Sequence, residues 1–573
     1  MNEWLSAFAH ADTALVNVFQ GIMRYFAPAM LLCLLIRAVL PLLTFRREPE
    51  IWAWLCLPND RKLPVTHWEN VIGRAKRSDI VLDLATVSRT HAVLTRYDDG
   101  SWSIADAQSS SGVLVNGQKV EICALEPEDV ISIGGLEMKL LPISRKQEIR
   151  LAQLRTKAAK PATGIVNLIL LTAFQVLVTV SYLINSPAEY LGSIFWGFTG
   201  IIACQWLLML FYILIRKPSF ELEMLAFILC TMGMAVIAAV KPGETVKQLI
   251  AMLLGVMAYL AIGWSLRDLE RAKMIRYLAA VAGIGLLMVT MLFGREYNGA
   301  KNWLILGPLS IQPSELSKVC FVFIGASTMD RIINKRNLIL FIVYSIAVCG
   351  CLAVMNDFGT ALIFFVAFLM IAFLRSGSIG TVALACTALG FAGVIALRIA
   401  PHALRRFAAW RHIWENPLTT GYQQTRSLMC LASGGLFGLG AGNGWMKNLF
   451  AADSDVVFCT VAEEWGILIS ILMVLCVIAM ALFSLRTTSM SRSSFHIIGS
   501  CTAATILLVQ AIFNALGTLD ILPLTGVTFP FLSNGGSSMI GAWGLLAFIK
   551  AGDTRQNASF AVRQSKEGRR DYE

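Results

Sequence analysis

Four carboxylates crowd into AADSDVVFCTVAEEWG, residues 451–466: Asp453, Asp455, Glu463 and Glu464, followed at once by the apolar run ILISILMVLCVIAMALF. Ionisable groups beside so much hydrocarbon are costly, and they are functional candidates by default. Other polar patches interrupt apolar runs: NGAKNWLILGPLSIQPSELSK (298–318), NDFGT (356–360), GYQQTRSLMCLASGGLFGLG (421–440) and PLTGVTFPFLSNGGSSM (523–539). Their prolines and glycines break helices, and such backbone is tolerated at membrane depth only where it is buried in protein or lines a cavity. The patches therefore predict a polar cavity with Lys301, Glu315, Lys318, Asp357, Asp455 and Glu464 near its rim. On physics alone that cavity fits a transporter, a channel or an enzyme acting on a lipid-borne substrate.

The elements that must position these residues are membrane helices. The 573 residues are 56% hydrophobic and only 15% charged, and runs of about 18 or more apolar residues recur. Spans are expected near 164–184, 193–215, 221–240, 248–265, 277–293, 315–331, 337–355, 359–374, 380–399, 462–485, 495–516 and 537–550. With the run from Ala27 to Phe45 they make thirteen. In such a chain the net charge of +11 reports topology and lipid contact and excludes nucleic-acid binding as its meaning. Arg216-Lys217, the RDLERAKMIR and RIINKR stretches, Arg375 and Arg486 fall on one side with the basic tail, so that side is expected to be cytoplasmic. The N-terminus and the long connection from about 400 to 460 are expected outside. The first apolar run ends in Arg46-Arg47 and has no basic stretch before it, which argues for a retained helix over a cleaved signal. Most of the thirteen cysteines lie inside apolar runs, where the thiol is a small hydrophobe, and the six scattered histidines suggest no metal site.

Between residues 51 and 145 the period drops to two. DIVLDL, HAVLTRY, SWSIADA, GVLVNG and VISIGG alternate like short strands between DDG, SSSG and NG turns, predicting a small all-β sandwich. Its IGR (72–74), VSRTH (87–91) and SSSGVLVNG (109–117) resemble, in order and spacing, the forkhead-associated (FHA) phosphothreonine-binding domain. An arginine fork with serine hydroxyls is a reasonable phosphate cradle in its own right. The resemblance implies that Arg74, Ser88 and Ser110 contact phosphate with Arg89 beside them, while His91 and Asn116 hold loop geometry. Ser111 stands where the family usually has an asparagine that grips the peptide backbone. The implied partner is a phosphothreonine protein made by a Ser/Thr kinase.

GAKNWL…QPSELSK, DFGT, YQ…SGGLFGLG, SD…EEWG and PLTGVTFPFLSNGGSS resemble the motifs of the SEDS family (RodA, FtsW and SpoVE), in family order over about residues 218–552. The resemblance implies a ten-helix core that polymerises peptidoglycan glycan strands from lipid II in elongation, division or sporulation. It also implies a class B penicillin-binding protein as partner. The family's essential aspartate falls on Asp455. A carboxylate there could take a proton from an attacking sugar hydroxyl or hold a divalent cation, Mg or Mn, against a pyrophosphate. Lys301, Arg405 or Arg411 could neutralise the leaving charge. The motifs add Trp303, Gln312, Tyr422, Gln423, Pro530, Ser533, Gly535, Gly536 and Ser537 to the expected cavity.

Several positions depart from the family pattern. Asp453 and Ser454 replace a histidine–threonine pair, Val456-Val457 replace Phe-Ile, Asn302 replaces an arginine, and Asn534 replaces a tyrosine. MNDFGT also stands where QPDLGT is usual. Structural roles compete at each motif. Asp357 could cap the following helix, Glu463 and Glu464 could favour a helix start, and SNGGSS could serve tight helix contact. A lipid II flippase and a non-catalytic scaffold are the rival functions. The expected organisation is thus a polytopic α-helical membrane protein: a membrane helix (1–50), an inserted cytoplasmic all-β sandwich (51–145), a basic linker (146–162), an accessory hairpin (163–217), the core (218–552) and a cytoplasmic tail (553–573).

Overall fold

The computed structural model describes residues 13–44, 51–144 except 60, 77, 98 and 99, residue 147, and 161–561 except 268, 298, 307, 308, 329–334, 377, 400, 489–492, 556 and 557. Most of the linker, residues 331–334 of the RIINKR stretch and all but the start of the tail lie outside them.

Alternation builds the sandwich. Its strands are β1 (Ala53–Cys56), β2 (Lys62–Val65), β3 (Glu69–Gly73), β4 (Ile80–Val81), β5 (Ala92–Arg96), β6 (Trp102–Asp106), β7 (Val113–Val115), β8 (Gln118–Val120), β9 (Ile122–Leu125), β10 (Val130–Ile133) and β11 (Leu136–Pro142). One sheet runs β2-β1-β11-β10-β7-β8 and the other β4-β3-β5-β6-β9. Every second residue faces inward, so Leu55, Ile72, Leu94, Ile104, Ile131 and Ile133 form one core with Trp52 and Trp68. The β7–β8 hairpin turns on Asn116 and Gly117, both at positive φ (52° and 81°), as a two-residue primed turn demands.

All thirteen apolar segments form helices: α1 (Thr13–Leu43), α2 (Pro161–Asn185), α3 (Leu191–Leu214), α4 (Glu221–Val240), α5 (Thr245–Leu266), α6 (Leu269–Phe293), α7 (Pro313–Thr328), α8 (Lys335–Val354), α9 (Phe358–Ser376), α10 (Ile379–Ile399), α14 (Ile467–Thr487), α15 (Ser494–Thr518) and α16 (Gly536–Ala551), with α11 (Pro401–Ala409), α12 (Tyr422–Gly434) and α13 (Val457–Trp465) as short additions. Among the described residues ten are long and apolar enough to cross a membrane. Helix α4, apolar on every face, is the central one: nearly all its residues are buried. Close approaches set its neighbours. A Cβ on Gly233 of α4 would strike the Phe531 and Leu532 carbonyls, and one on Gly255 of α5 would strike the Trp543 ring of α16. Helices α1 to α3 flank this core. Inside the apolar packing, Gln175 of α2, Gln205 of α3 and Thr231 of α4 hydrogen-bond one another at 2.7–3.0 Å. The thirteen cysteines are all free, as their apolar settings predict.

Two features differ from the sequence expectation. The span expected at 462–485 is broken at Gly466 (φ +90°) into α13 and α14. A side chain there would collide with the Leu436 carbonyl, so this crossing of two backbones admits only glycine. The patch at 298–318 also supplies two strands of a three-stranded meander, β12 (Arg295–Tyr297), β13 (Ala300–Leu306) and β14 (Leu309–Ile311), whose first strand lies just before it.

Candidate functional site

The irregular segments meet around one cavity of about 1230 Å³. Its wall is assembled from the α4–α5 connection (Lys241, Glu244), β13 (Asn302, Trp303), Gln312, Asp357 at the start of α9, Arg406 of α11, the 451–455 loop and the stretch from Thr525 to Ser538.

Asp455 sits in this wall, half-buried, on a tight turn. Ala451 adopts φ +55°, and its carbonyl accepts the amides of Ser454 (3.1 Å) and Asp455 (3.0 Å). Asn514 of α15 clamps the turn by donating to the carbonyls of Ser454 (3.2 Å), Asp455 (3.0 Å) and Val527 (2.9 Å). Ser533 donates to the Ser454 carbonyl at 2.8 Å. The backbone is thus held from two sides, while among the described residues the carboxylate itself receives only the Ser454 hydroxyl at 3.0 Å. Burial pushes the Asp455 carboxyl above its ordinary value; the Ser454 hydrogen bond and the Arg406 guanidinium pull it back, and Asp453 adds to the rise. Arg406 donates to the Thr525 carbonyl at 3.1 Å. Next to it, Gly526 (φ +69°) leaves the approach open: a side chain would begin 3.5 Å from Asp455 Oδ2 and 3.9 Å from Arg406 Nη1.

Two of the positions that depart from the family pattern, Asp453 and Asn534, contact each other. Asp453, buried, pairs with Lys241 at 2.8 Å and accepts from Asn534 Nδ2 at 2.7 Å, while its carbonyl accepts the Asn534 amide at 2.7 Å. Asn534 also donates to Glu244 at 3.2 Å. Asn302 donates to Asp357 Oδ2 at 3.0 Å. Asp453 and Asn534 thus form a bonded pair beside the Asp455 turn. Asp357 does cap α9, accepting the Thr360 amide at 3.1 Å, and its other oxygen faces the cavity side through Asn302.

Of the predicted residues, Trp303, Gln312, Asp357, Asp455, Gly535, Gly536 and Ser537 line the cavity. The others lie off its wall. Glu315 and Lys318 form a buried ion pair at 2.6 Å within α7. Lys301 turns back to the Leu292 carbonyl (3.3 Å), Gln423 bonds the Phe450 carbonyl (3.1 Å), and Tyr422 is exposed beneath the Arg426 guanidinium. Pro530 and Ser533 are buried behind the wall. Glu463 and Glu464 are in the last turn of α13, not at a helix start. The break at Gly466 ends the helix there, so the macrodipole disfavours them. They accept backbone amides instead: Met446 N to Glu463 Oε2 at 2.8 Å and Gly442 N to Glu464 Oε2 at 3.1 Å. Burial pushes the Glu464 carboxyl up to about 7. Arg411 lies over Trp410, whereas Arg406, not singled out in the sequence, is the arginine beside Asp455; the side chain of Arg405 lies outside the described residues. Lys241 was also missed, because a lysine in VKPGE reads as an ordinary loop charge.

Among the described residues no three His, Cys, Asp or Glu side chains form a metal-ligand cluster. The donor set suits Mg²⁺ only in its usual manner, held by one carboxylate with substrate phosphates and water completing the shell, and Asp455 is the residue that would hold it.

On the sandwich, Arg74 is exposed and Ser88 Oγ lies 3.0 Å from Ser110 Oγ and accepts the Ser110 amide at 3.1 Å. His91, buried, accepts the Ser88 amide (3.1 Å) and reaches the Gly112 carbonyl (3.0 Å), tying the two loops together. Asn116 bonds Asp129 and the Val130 amide, a loop-holding role. Ser111 spends its hydroxyl on the Thr86 carbonyl at 3.2 Å, yet remains exposed beside Ser110; Arg89 is exposed on the same rim.

The fold and cavity define a multi-span helical membrane protein with an appended β-sandwich. Residues 220–556 match the family model of the cell cycle proteins FtsW, RodA and SpoVE, and residues 70–134 match the FHA domain model. The chain belongs to the FtsW/RodA/SpoVE family. It is 29% identical over 324 residues to the peptidoglycan glycosyltransferase RodA of Mycobacterium tuberculosis, covering 53% of this chain and 69% of the relative. It is 31% identical over 348 residues to the probable peptidoglycan glycosyltransferase FtsW of Tolumonas auensis, covering 57% and 90%. The fold resembles a chain of a peptidoglycan synthase complex solved for its coordination of polymerization and crosslinking (TM-score 0.50, 24% identity, 58% of this chain and 96% of that one).

Proposed function

We propose that this protein is a peptidoglycan glycosyltransferase that polymerises lipid II, with Asp455 as the general base. The observation that carries the reading is the Asp455 carboxylate: its turn is fixed by Asn514 and Ser533, while its oxygens face a large cavity with one hydroxyl partner and Arg406 nearby. The reaction needs a sugar hydroxyl to attack an anomeric carbon. The new C–O bond forms as the bond to the lipid pyrophosphate breaks, and the hydroxyl proton passes to Asp455. A base raised above the ordinary carboxylate range is better matched to that proton than a solvated one. Arg406 stands where charge develops on the leaving pyrophosphate. A divalent cation held by Asp455 would supply further neutralisation of that pyrophosphate. Trp303, Asp357, Gln312 and the Gly535–Ser537 stretch bind and orient the two sugar-lipid substrates.

The membrane is the cytoplasmic membrane, with the cavity and the N-terminus outside and the FHA domain and C-terminus in the cytoplasm. The one-sided basic residues support that threading. The FHA domain docks a phosphothreonine protein through Arg74, Ser88, Ser110 and Ser111, and a class B penicillin-binding protein cross-links the product. The test incubates the purified protein and its partner with lipid II and Mg²⁺. Wild type makes glycan polymer and Asp455→Ala does not, whereas polymer from Asp455→Ala at the wild-type rate sinks the assignment. Lipid II crossing liposomes without polymer would favour a flippase. Arg74→Ala is expected to lose phosphopeptide binding in titration while polymerisation proceeds.

A further inference from the structure

Tyr182 belongs to α2, outside the segment that matches the family model. It is fully buried, and its ring packs on Trp465 and Phe198 at centroid distances of 6.1 and 6.5 Å. Its hydroxyl donates to Glu464 Oε2 at 2.7 Å and accepts from Trp465 Nε1 at 3.0 Å. Glu464 is a hub. The same oxygen accepts the Gly442 amide, and its carbonyl accepts the Gly440 amide at 2.9 Å. Glu463 does the same one residue earlier, for the amides of Met446 and Leu439. The segment 439–446 is therefore wrapped around two carboxylates of α13, and α13 begins two residues after Asp455.

The other flanking contacts converge there. Asn185 of α2 donates to the Ala441 carbonyl at 2.6 Å. From α1, Gln20 accepts from Asn443 Nδ2 at 3.0 Å, and Tyr25 packs on Phe437 at 4.8 Å. A helix pair that merely thickened the bundle would need apolar contacts alone. Beside the Tyr25–Phe437 ring contact, the Asn185 and Gln20 contacts are polar, directional and aimed at the 439–446 segment.

We propose that Tyr182 is a positioning residue for glycan polymerisation: through Glu464 it fixes α13, and so sets the turn that presents Asp455 to the cavity. The proposal rests on the reading of Asp455 as base, and its test is built to separate the two. Tyr182→Phe keeps the ring packing and removes only the hydroxyl. It is expected to lower kcat about tenfold, since a small misplacement of a reacting group is costly, while KM for lipid II stays within about twofold. Hydrogen–deuterium exchange is expected to rise at 439–456 and to remain unchanged in α4 and in the sandwich. Glu464→Gln, whose amide oxygen still accepts the Tyr182 hydroxyl, keeps most of the activity. Glu464→Leu behaves like Tyr182→Phe, and the double variant is no worse than either alone.

Unchanged exchange at 439–456 in Tyr182→Phe overturns the proposal whether or not the protein polymerises lipid II. So does a kcat loss that tracks a lowered thermal midpoint and raised exchange throughout the membrane domain, which would make Tyr182 a stabiliser of the fold. A wild type that makes no polymer, with exchange rising at 439–456 in the variant, leaves Tyr182 as the support of the loop and removes the reading of Asp455 as base.

Discussion

Helix α4 carries a lysine–carboxylate pair at each end, and the two ends are built to opposite purposes. At its N-terminal end Glu223 and Lys550 pair at 3.1 Å with both side chains buried. The Tyr212 and Tyr259 hydroxyls donate to Glu223, and Lys550 also donates to the Ser219 carbonyl at 2.9 Å. Close by, Arg555 grips Asp553 at 2.8 Å and Glu221 at 3.4 Å. Each of those charged groups is met by partners. At the C-terminal end Lys241 pairs with Asp453 at 2.8 Å, but its side chain is 49% exposed, and Asp455 two residues on has one hydroxyl partner and an open cavity. The difference teaches how to separate structural from chemical carboxylates in an apolar chain. Saturated ones hold helices together, and the one left with spare acceptor capacity beside a void is free to meet substrate.

Predictions that break the comparison begin at the saturated end. Lys550→Met leaves Glu223 buried without its cation and is expected to cost roughly 3–5 kcal/mol of stability, read as a lower thermal unfolding midpoint in detergent. A midpoint equal to wild type would deny that this cluster is structural.

The next effect is on pH dependence. Asp455 acts when ionised and its carboxyl is raised, so turnover is lost as pH falls through that raised value, above the ordinary carboxylate range. Arg406→Gln removes a cation that favours the ionised form, and the acid limb of kcat is expected to move to still higher pH. A limb that stays put or moves down would take Arg406 out of the site.

The smallest effect sharpens the comparison. Lys241 is half-exposed, so a double-mutant cycle with Lys241→Ala and Asp453→Asn should give a coupling of only about 0.2–1 kcal/mol in stability. A coupling as large as that expected of a buried pair would make the two ends of α4 alike.

Much of this was legible in the sequence, for physical reasons that apply residue by residue. The thirteen apolar runs are legible because a helix in lipid must satisfy its own backbone, and hydrocarbon leaves little choice of side chain. The sandwich is legible because its period of two recurs between glycine and asparagine turns. Asp455 stands out through its motif. The break at Gly466 is hidden because a single glycine ahead of an apolar run need not end a helix, and only the crossing of Leu436 over the chain demands glycine there. The β12–β14 meander is hidden because its pairing is local and its strands are short. Lys241 and Arg406 are brought to the cavity by long-range packing that no spacing encodes. The same holds for the Asp453–Asn534 bond, which joins residues far apart in the chain. Glu464 reads as a helix-start acid until Gly466 is seen to end the helix just after it.

The most direct test compares Asp455→Asn with Glu223→Gln in one purification, scoring glycan polymer from lipid II and thermal midpoint together. The expected result is a pair of opposites: Asp455→Asn keeps its midpoint and loses polymerisation by about two orders of magnitude or more, while Glu223→Gln unfolds at a lower temperature. Polymer from Asp455→Asn at the wild-type rate would contradict the account.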